Sequence, residues 1–383
     1  MLRLIIIVTL LLASLLTVFK APTYHLWLLA VLVGEYGILF ISITLLALLA
    51  GFLPGRYAWQ GTVLGTIAIA LYLYPMVSAY LIGRNLDGDI SHAFPKSQHT
   101  LSQSSSTPFS FARLFHQDPE QTQFKTFTYA SYADTSLTLD YYRAAVKGKR
   151  PCVVVIHGGS WSSGDSRQLP ELNTVLSRAG YQVVSINYRL SPKWQSPAPL
   201  QDVAAALTYL HQHAEDLQIN TTKIVLLGRS AGAQIALLAA YTLKQQGIKG
   251  VIDFYGPADM VWGYSLPASK LVMDSRRVMS DYLGGFYPKV PKQYAESSPI
   301  EFVNRQTVPT LMIHGANDVL VAYGHSERLR HKLTQNQVPF YWLKLPWATH
   351  GFDYHLNGPG GQLSTYTVLR FLTSVLPDNS SLN

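Results

Sequence analysis

The sequence is poor in cysteine and poor in charge. Cys152 is the single cysteine among 383 residues. That excludes an intrachain disulfide and leaves no second thiol for a metal site. Cys152 lies in an apolar run just before a Gly-rich turn. It reads as a buried core thiol and does not choose between a reducing and an oxidising compartment. Charged residues make up only 14% of the chain, against about 25% in a typical soluble domain. Part of the chain is therefore expected in lipid. The net charge of +8 comes without a block of consecutive basic residues. Nucleic acid is thus not expected as a partner, and loose attraction to anionic lipid or a cell-surface polymer fits better.

Three apolar runs crowd the first 83 positions: Leu4–Phe19, Leu26–Leu53 and Trp59–Ile82. About 20 apolar residues cross a bilayer as a helix. The second and third runs are long enough and the first is marginal. The first run also resembles a signal peptide in its start, Met1-Leu2-Arg3, but no small-x-small cleavage site follows. A retained helix is expected. Residues 1–83 are thus read as a multi-pass helical membrane anchor. Glu35 is either a functional ionisable group at membrane depth or an interfacial residue ahead of a helix starting near Tyr36. Arg3 and Arg56 balance Lys20 and Arg84 across three spans. Orientation is nearly a tie by the positive-inside rule, with a slight lean to an extracytoplasmic downstream domain. Residues 84–123, including Ser102-Gln-Ser-Ser-Ser-Thr-Pro108, read as a polar linker.

From residue 124 to 383 short β-branched runs alternate with segments of helical period. Strands are expected at Cys152–Ile156, Val183–Tyr188, Ile224–Leu227, Val251–Phe254, Leu311–Ile313 and Phe340–Leu345. Helices are expected near Leu169–Ala179, Leu200–His213, Ala231–Gln246, Gly324–Leu333 and Gly361–Ser374. The alternation predicts an α/β fold: a mostly parallel central sheet with helices on both faces, preceded by the membrane anchor. Phe127-Thr-Tyr-Ala130 and Leu137-Thr-Leu-Asp-Tyr141 predict an antiparallel hairpin at one edge. Ligands in such sheets bind beyond the carboxyl ends of the strands.

Gly228-Arg-Ser-Ala-Gly232 follows one predicted strand and opens a helix. A sharp strand-to-helix turn lifts a serine above the sheet, and flanking glycines relieve the crowding. A plain Gly-lined turn is the alternative. A serine hydroxyl needs a base, and that base needs an orienting carboxylate. Asp318 follows the strand at Leu311–Ile313, and His350 follows the strand at Phe340–Leu345. The order Ser, Asp, His is the one this sheet class uses. Ser230, Asp318 and His350 are therefore the candidate nucleophile, acid and base. His314, His325 and His355 are rivals read as surface or packing residues. Asp259 is a second acid, better read as a turn cap. His157-Gly-Gly-Ser-Trp161 is a Gly-rich loop suited to backbone donors for an oxyanion. Gly159, Ser160 and Ala231 are the expected donors, with Gly158 the alternative if the register slips by one.

His157-Gly-Gly-Ser-Trp161, Asn187-Tyr-Arg-Leu-Ser-Pro192, Pro199-Leu-Gln-Asp-Val203, Gly228–Gly232, His314–Asp318 and His350-Gly351 together resemble the α/β-hydrolase superfamily. The resemblance is to its esterase and lipase group, related to hormone-sensitive lipase and bacterial feruloyl-esterase-like proteins, and covers Tyr129 to Leu376. It implies an α/β-hydrolase fold, carboxylic ester substrates, no cofactor and no metal. By position it implies Ser230 as nucleophile, Asp318 as acid, His350 as base and Asp202 as a structural aspartate. Two positions depart from the pattern. Ser160 stands for the usual third glycine of the oxyanion loop, and Ala233 for a common glycine after Ser-Ala-Gly. The first is expected to narrow the acyl pocket or add a hydroxyl donor. The aromatic-rich segment near 260–299 is expected as a lid or acyl-pocket wall, or as simple helical packing. Competing readings are a serine peptidase or amidase on the same fold, and a catalytically silent binding protein.

Overall fold

The protein is described by a computed structural model over residues 1–49, 58–95, 107–243 and 247–376. The apolar N-terminal runs fold as α1 (Leu2–Ser14, extended by a short 3-10 turn to Thr17), α2 (Tyr24–Glu35), α3 (Gly37–Leu49) and α4 (Ala58–Ala93). Arg3 ties three of them at one end, donating to the carbonyls of Ala47 at 2.9 Å and Ala58 at 3.0 Å. Tyr72 donates to the Leu10 carbonyl at 2.6 Å.

Two expectations for this region need correction. The second apolar run is not one continuous span. It breaks at Tyr36, where α2 and α3 meet at 86°. Glu35 is drawn out of line because its carboxylate accepts amides at the start of a distant helix, from Gly360 at 2.8 Å and Gly361 at 3.4 Å. The expected linker at 84–123 also begins too early. Helix α4 runs on to Ala93 because Leu86 and Ile90 are buried, and Asp87 accepts from Tyr366 at 2.8 Å and pairs with Arg370 at 2.7 Å. Residues 107–123 pack on the domain as well: Asp118 accepts from His355 and from the Asn357 amide. Residues 50–53 of the second run, 96–106 of the linker and 244–246 of an expected helix lie outside the described residues.

The short β-branched runs build an eight-stranded sheet. Its strands are β1 (Phe124–Tyr132), β2 (Thr135–Tyr142), β3 (Arg150–Ile156), β4 (Gln182–Ile186), β5 (Ile219–Arg229), β6 (Ile248–Phe254), β7 (Thr310–Gly315) and β8 (Phe340–Leu345). The order is β1-β2-β4-β3-β5-β6-β7-β8. The expected hairpin is present: β1 and β2 pair antiparallel, β2 pairs antiparallel with β4, and every later neighbour is parallel. The covering helices are α5 (Pro170–Arg178), α6 (Ala198–Gln212), α7 (Ala231–Thr242), α8 (Met260–Ser265), α9 (Ser275–Leu283), α10 (Pro291–Glu296), α11 (Gly324–Gln335) and α12 (Pro359–Val375).

Side chains alternate across a strand, so one strand feeds two cores. Val153 and Val155 join one apolar cluster, and Cys152, Val154 and Ile156 join the other. Burial pushes the Cys152 thiol up, which leaves it an inert core group. The first cluster also contains Ala30, Val33, Ala68, Tyr72 and Met76. The N-terminal helices and one face of the sheet therefore share a core. Among the described residues α4 is long and apolar enough to cross a membrane.

Candidate active site

Strand β5 ends at Arg229 and α7 starts at Ala231, so Ser230 alone makes the turn. Its backbone sits at φ 53°, ψ −120°. A non-glycine residue held there costs about 1–3 kcal/mol and persists only where its surroundings enforce it. Two glycines make the turn possible through close approach. A Cβ on Gly228 would lie 2.2 Å from the Gly232 carbonyl oxygen, and one on Gly232 would lie 2.2 Å from that of Ile156.

The loops after β7 and β8 bring two further side chains to the same end of the sheet. Ser230 Oγ lies 3.0 Å from His350 Nε2, and His350 Nδ1 lies 2.7 Å from Asp318 Oδ2. The other oxygen of Asp318 accepts the amides of Leu320 at 2.8 Å and Val321 at 2.9 Å. Burial opposes ionisation of Asp318. The charge of His350 and the hydrogen bonds from His314 and His350 outweigh it and hold the carboxyl well below the usual carboxylate range. The arrangement supplies a hydroxyl, an imidazole within reach of its proton, and an ionised carboxylate on the far nitrogen.

The loop after β3 supplies backbone donors. Gly159 has φ +115°, and a Cβ there would lie 2.0 Å from the Ser163 carbonyl oxygen, so only glycine fits. The Gly158 amide already donates to Gln168 Oε1 at 2.8 Å. The amides of Gly159 and Ser160 have no hydrogen-bond acceptor among the described residues. Ala231 is the first residue of α7, where an amide has no partner within its own helix. Ser160 Oγ reaches Met273 Sδ at 3.8 Å.

The rival residues have other places. His314 is fully buried and neither exposed nor idle: its Nε2 lies 3.2 Å from Asp318 Oδ2 and its Nδ1 2.8 Å from Ser326 Oγ. His325 is buried edge-on against Trp262, and burial, aided by the charge of His314, pushes it down to about 3. His355 stacks on Tyr36 and bonds Asp118. Asp259 caps α8 by accepting the Trp262 amide at 2.8 Å, and it pairs with Arg328. Asp202 pairs with Arg189 at 2.9 Å. Among the described residues no cluster of His, Cys, Asp and Glu side chains is disposed to hold a metal ion.

Two contributors to the site carried no local signal in the sequence, and a third was read only as a rival histidine. Trp27 of α2 donates from Nε1 to the His350 carbonyl at 2.9 Å. Asp353 bonds Arg229 at 2.5 Å and accepts from Tyr255, bracing the turn at Ser230 against the loop that carries His350. His314 is the third. Two cavities meet at Ser230. A cleft of about 720 Å³ is bounded by α2 and the His350 loop. A cavity of about 60 Å³ lies towards Trp161, Ala231, Met273, Val278 and Met279. Residues 260–299 contribute side chains both to this cavity and to local packing. Met273, Val278 and Met279 form pocket wall, while Tyr264, Tyr287 and Tyr294 pack on one another.

Residues 139–333 match the family described as BD-FAE. The chain belongs to the BD-FAE family. The match takes in Gly159, Ser160, Ser230, Ala231 and Asp318 and stops before His350. A probable carboxylic ester hydrolase, LipM of Mycobacterium tuberculosis, is 29% identical over 246 residues, which are 60% of this chain and 55% of that protein. The BD-FAE chain thus spans about half the length of that curated relative. Among solved structures, a bacterial heroin esterase superposes with TM-score 0.61 at 18% identity, over 80% of this chain and 98% of its own. A puromycin-hydrolysing peptidase of Mycobacterium tuberculosis superposes with TM-score 0.57 at 21% identity, over 70% of this chain and 40% of its own. These likenesses, with the sheet order, make the fold that of the α/β-hydrolases, in their esterase and lipase group.

Proposed function

We propose that this BD-FAE chain is a membrane-associated serine hydrolase of carboxylic esters. The observation that carries the proposal is the unbroken hydrogen-bond chain Ser230–His350–Asp318 at the strand ends. In this reading His350 Nε2 takes the Ser230 proton as Oγ attacks the ester carbonyl. The oxyanion is held by the amides of Gly159, Ser160 and Ala231; one such donor is worth about 3–4 kcal/mol elsewhere. His350 then protonates the departing alcohol and leaves an acyl-enzyme. Water, deprotonated by the same imidazole, releases the acid. Asp318 keeps the imidazole in the tautomer that can accept at Nε2 and stabilises its charged form. The relative named as an ester hydrolase supports ester over amide substrates.

Membrane association rests on exposed apolar surface. No charged residue occurs from Ala58 to Gly83. Leu73, Val77 and Leu81 of α4, Leu39, Ile43 and Leu46 of α3, and Ile5 and Leu12 of α1 are all exposed. Exposed large apolar side chains grouped on packed helices favour a lipid or partner contact.

A fluorophosphonate probe tests the reading directly. It is expected to label the full-length protein and to leave Ser230→Ala unlabelled. Turnover of 4-nitrophenyl acetate is expected to fall by about six orders of magnitude in Ser230→Ala, the loss seen when a triad nucleophile is removed. Equal or faster hydrolysis of the matched anilide would point to an amidase instead. The protein is expected to stay with membranes through alkaline carbonate washing.

A further inference from the structure

The two cavities at Ser230 have opposite relations to His350. The larger one, about 720 Å³, has His350 in its wall. The smaller one, about 60 Å³, does not. In ester hydrolysis the leaving oxygen takes its proton from the imidazole and so must come within about 3 Å of it. The alcohol therefore leaves through the large cleft, and the acyl group points into the small cavity. A cavity of about 150 Å³ holds a benzene ring. The small cavity is well under that and has room for a few carbon atoms.

The large cleft has an unusual wall. Tyr24, Trp27, Leu28, Val31 and Leu32 line it from one face of α2. They recur at helical spacing and so share one face, apolar but for the Tyr24 hydroxyl and the Trp27 N–H. Tyr24, Leu28 and Leu32 are exposed there. Through Tyr36, α2 passes into α3, whose exposed face carries Leu39, Ile43 and Leu46. The wall of the cleft and the lipid-seeking surface belong to one bent apolar segment. An apolar alcohol can pass along it from bilayer to Ser230 with little exposure to water.

We infer that the substrate is a short-chain acyl ester, of the acetyl class, of a large apolar alcohol that resides in the bilayer. The inference rests on the ester-hydrolase reading above. The overall step consumes one water, breaks the acyl carbon–oxygen bond, and yields a short carboxylic acid and the free alcohol. The charged side chain of Arg229 in the wall is already paired with Asp353, and the α2 side of the cleft offers the alcohol's chain mainly apolar contact.

Full-length protein in phosphatidylcholine vesicles, given ethyl and hexadecyl esters of acetate and octanoate, tests the inference. Hexadecyl acetate is expected to be cleaved about tenfold or more faster than ethyl acetate, and each octanoate about tenfold or more slower than its acetate, since misfitting methylenes cost at least this much in a tight pocket. Met279→Ala is expected to shrink the acetate-over-octanoate ratio. Leu28→Ser with Leu32→Ser is expected to shrink the hexadecyl-over-ethyl ratio. Ratios cancel a general loss of folded protein. Octanoates cleaved as fast as acetates would overturn the acyl assignment. Hexadecyl acetate no better than ethyl acetate would overturn the bilayer alcohol. Loss of both ester cleavage and Ser230 labelling would instead remove the ester-hydrolase reading itself.

Discussion

Asp318 offers one carboxylate oxygen to two imidazoles, His350 at 2.7 Å and His314 at 3.2 Å. The second contact fixes which way the carboxylate faces, while Ser326 holds His314 from the other side. A hydrogen bond to a charged group is worth about 1.5–3 kcal/mol. His314→Gln is therefore expected to lower kcat by about tenfold to a hundredfold with little change in KM, measured by steady-state hydrolysis of 4-nitrophenyl acetate. A wild-type kcat would remove the positioning role. Asp253 behaves differently. It is buried in β6, with Oδ1 accepting the Gly256 amide at 2.7 Å and Oδ2 without a partner among the described residues. Burial pushes its carboxyl up to about 7, against the charge of His314. The folded protein thus keeps a proton that the unfolded chain has lost, so this group's contribution to stability is present at low pH and is lost as pH rises through about 7. Asp253→Asn is expected to flatten the fall in Tm between pH 5 and pH 8 relative to wild type. Parallel Tm curves for the two proteins would contradict it.

Helix α2 is the element that most changes the picture of the site. Its Trp27 indole holds the His350 carbonyl, and its Glu35 carboxylate holds the first amides of α12. Trp27→Phe keeps an aromatic ring, though a smaller one, and removes the donor. The lost bond is worth about 0.5–1.5 kcal/mol, so kcat is expected to fall by about two- to tenfold, visible as slower turnover at saturating substrate. The remaining elements were largely legible in the sequence. Val153, Val154 and Val155 announced a strand covered on both faces. Gly228 and Gly232 announced a tight turn between strand and helix. Asp318 and His350 each followed a readable strand, so their convergence followed from the parallel order of the sheet. The role of α2 was not legible because Leu26–Leu53 is long and apolar enough for a span, and Glu35 hinted only at a helix start near Tyr36, not at a contact with the domain. Only long-range contacts of Trp27 and Glu35, with partners over 300 positions away, bend it onto the domain. The role of His314 was concealed for a related reason: Asp318 and Ser326 converge on it only once the loop after β7 has folded.

At the scale of the whole molecule, the N-terminal helices and one face of the sheet share a buried core. Val33, Ala68, Tyr72 and Met76 belong to the same buried cluster as Val153, Leu227 and Phe371. Phe371 of α12 packs edge-on against Phe94, just beyond α4, and Trp347 meets Glu35 at the end of α2. A chain beginning at residue 107 would strip these partners away. Uncovering a large apolar side chain costs about 1.5–3 kcal/mol, and a whole domain is stable by only about 5–15 kcal/mol. Exposure of Phe371 and Trp347 alone would consume a large part of that margin, before the loss of the Glu35 acceptor at the start of α12. The truncated chain is therefore expected to aggregate, or to melt far below the full-length protein in detergent. Any soluble fraction is expected to turn over 4-nitrophenyl acetate slowly, because its His350 carbonyl lacks Trp27 and its cleft lacks a wall. A truncation that is soluble, melts with the full-length protein and matches its kcat/KM would mean that the helices only tether the hydrolase. Measuring Tm and kcat/KM on one preparation separates the two cases, since a tether would leave both unchanged and a shared core would lower both.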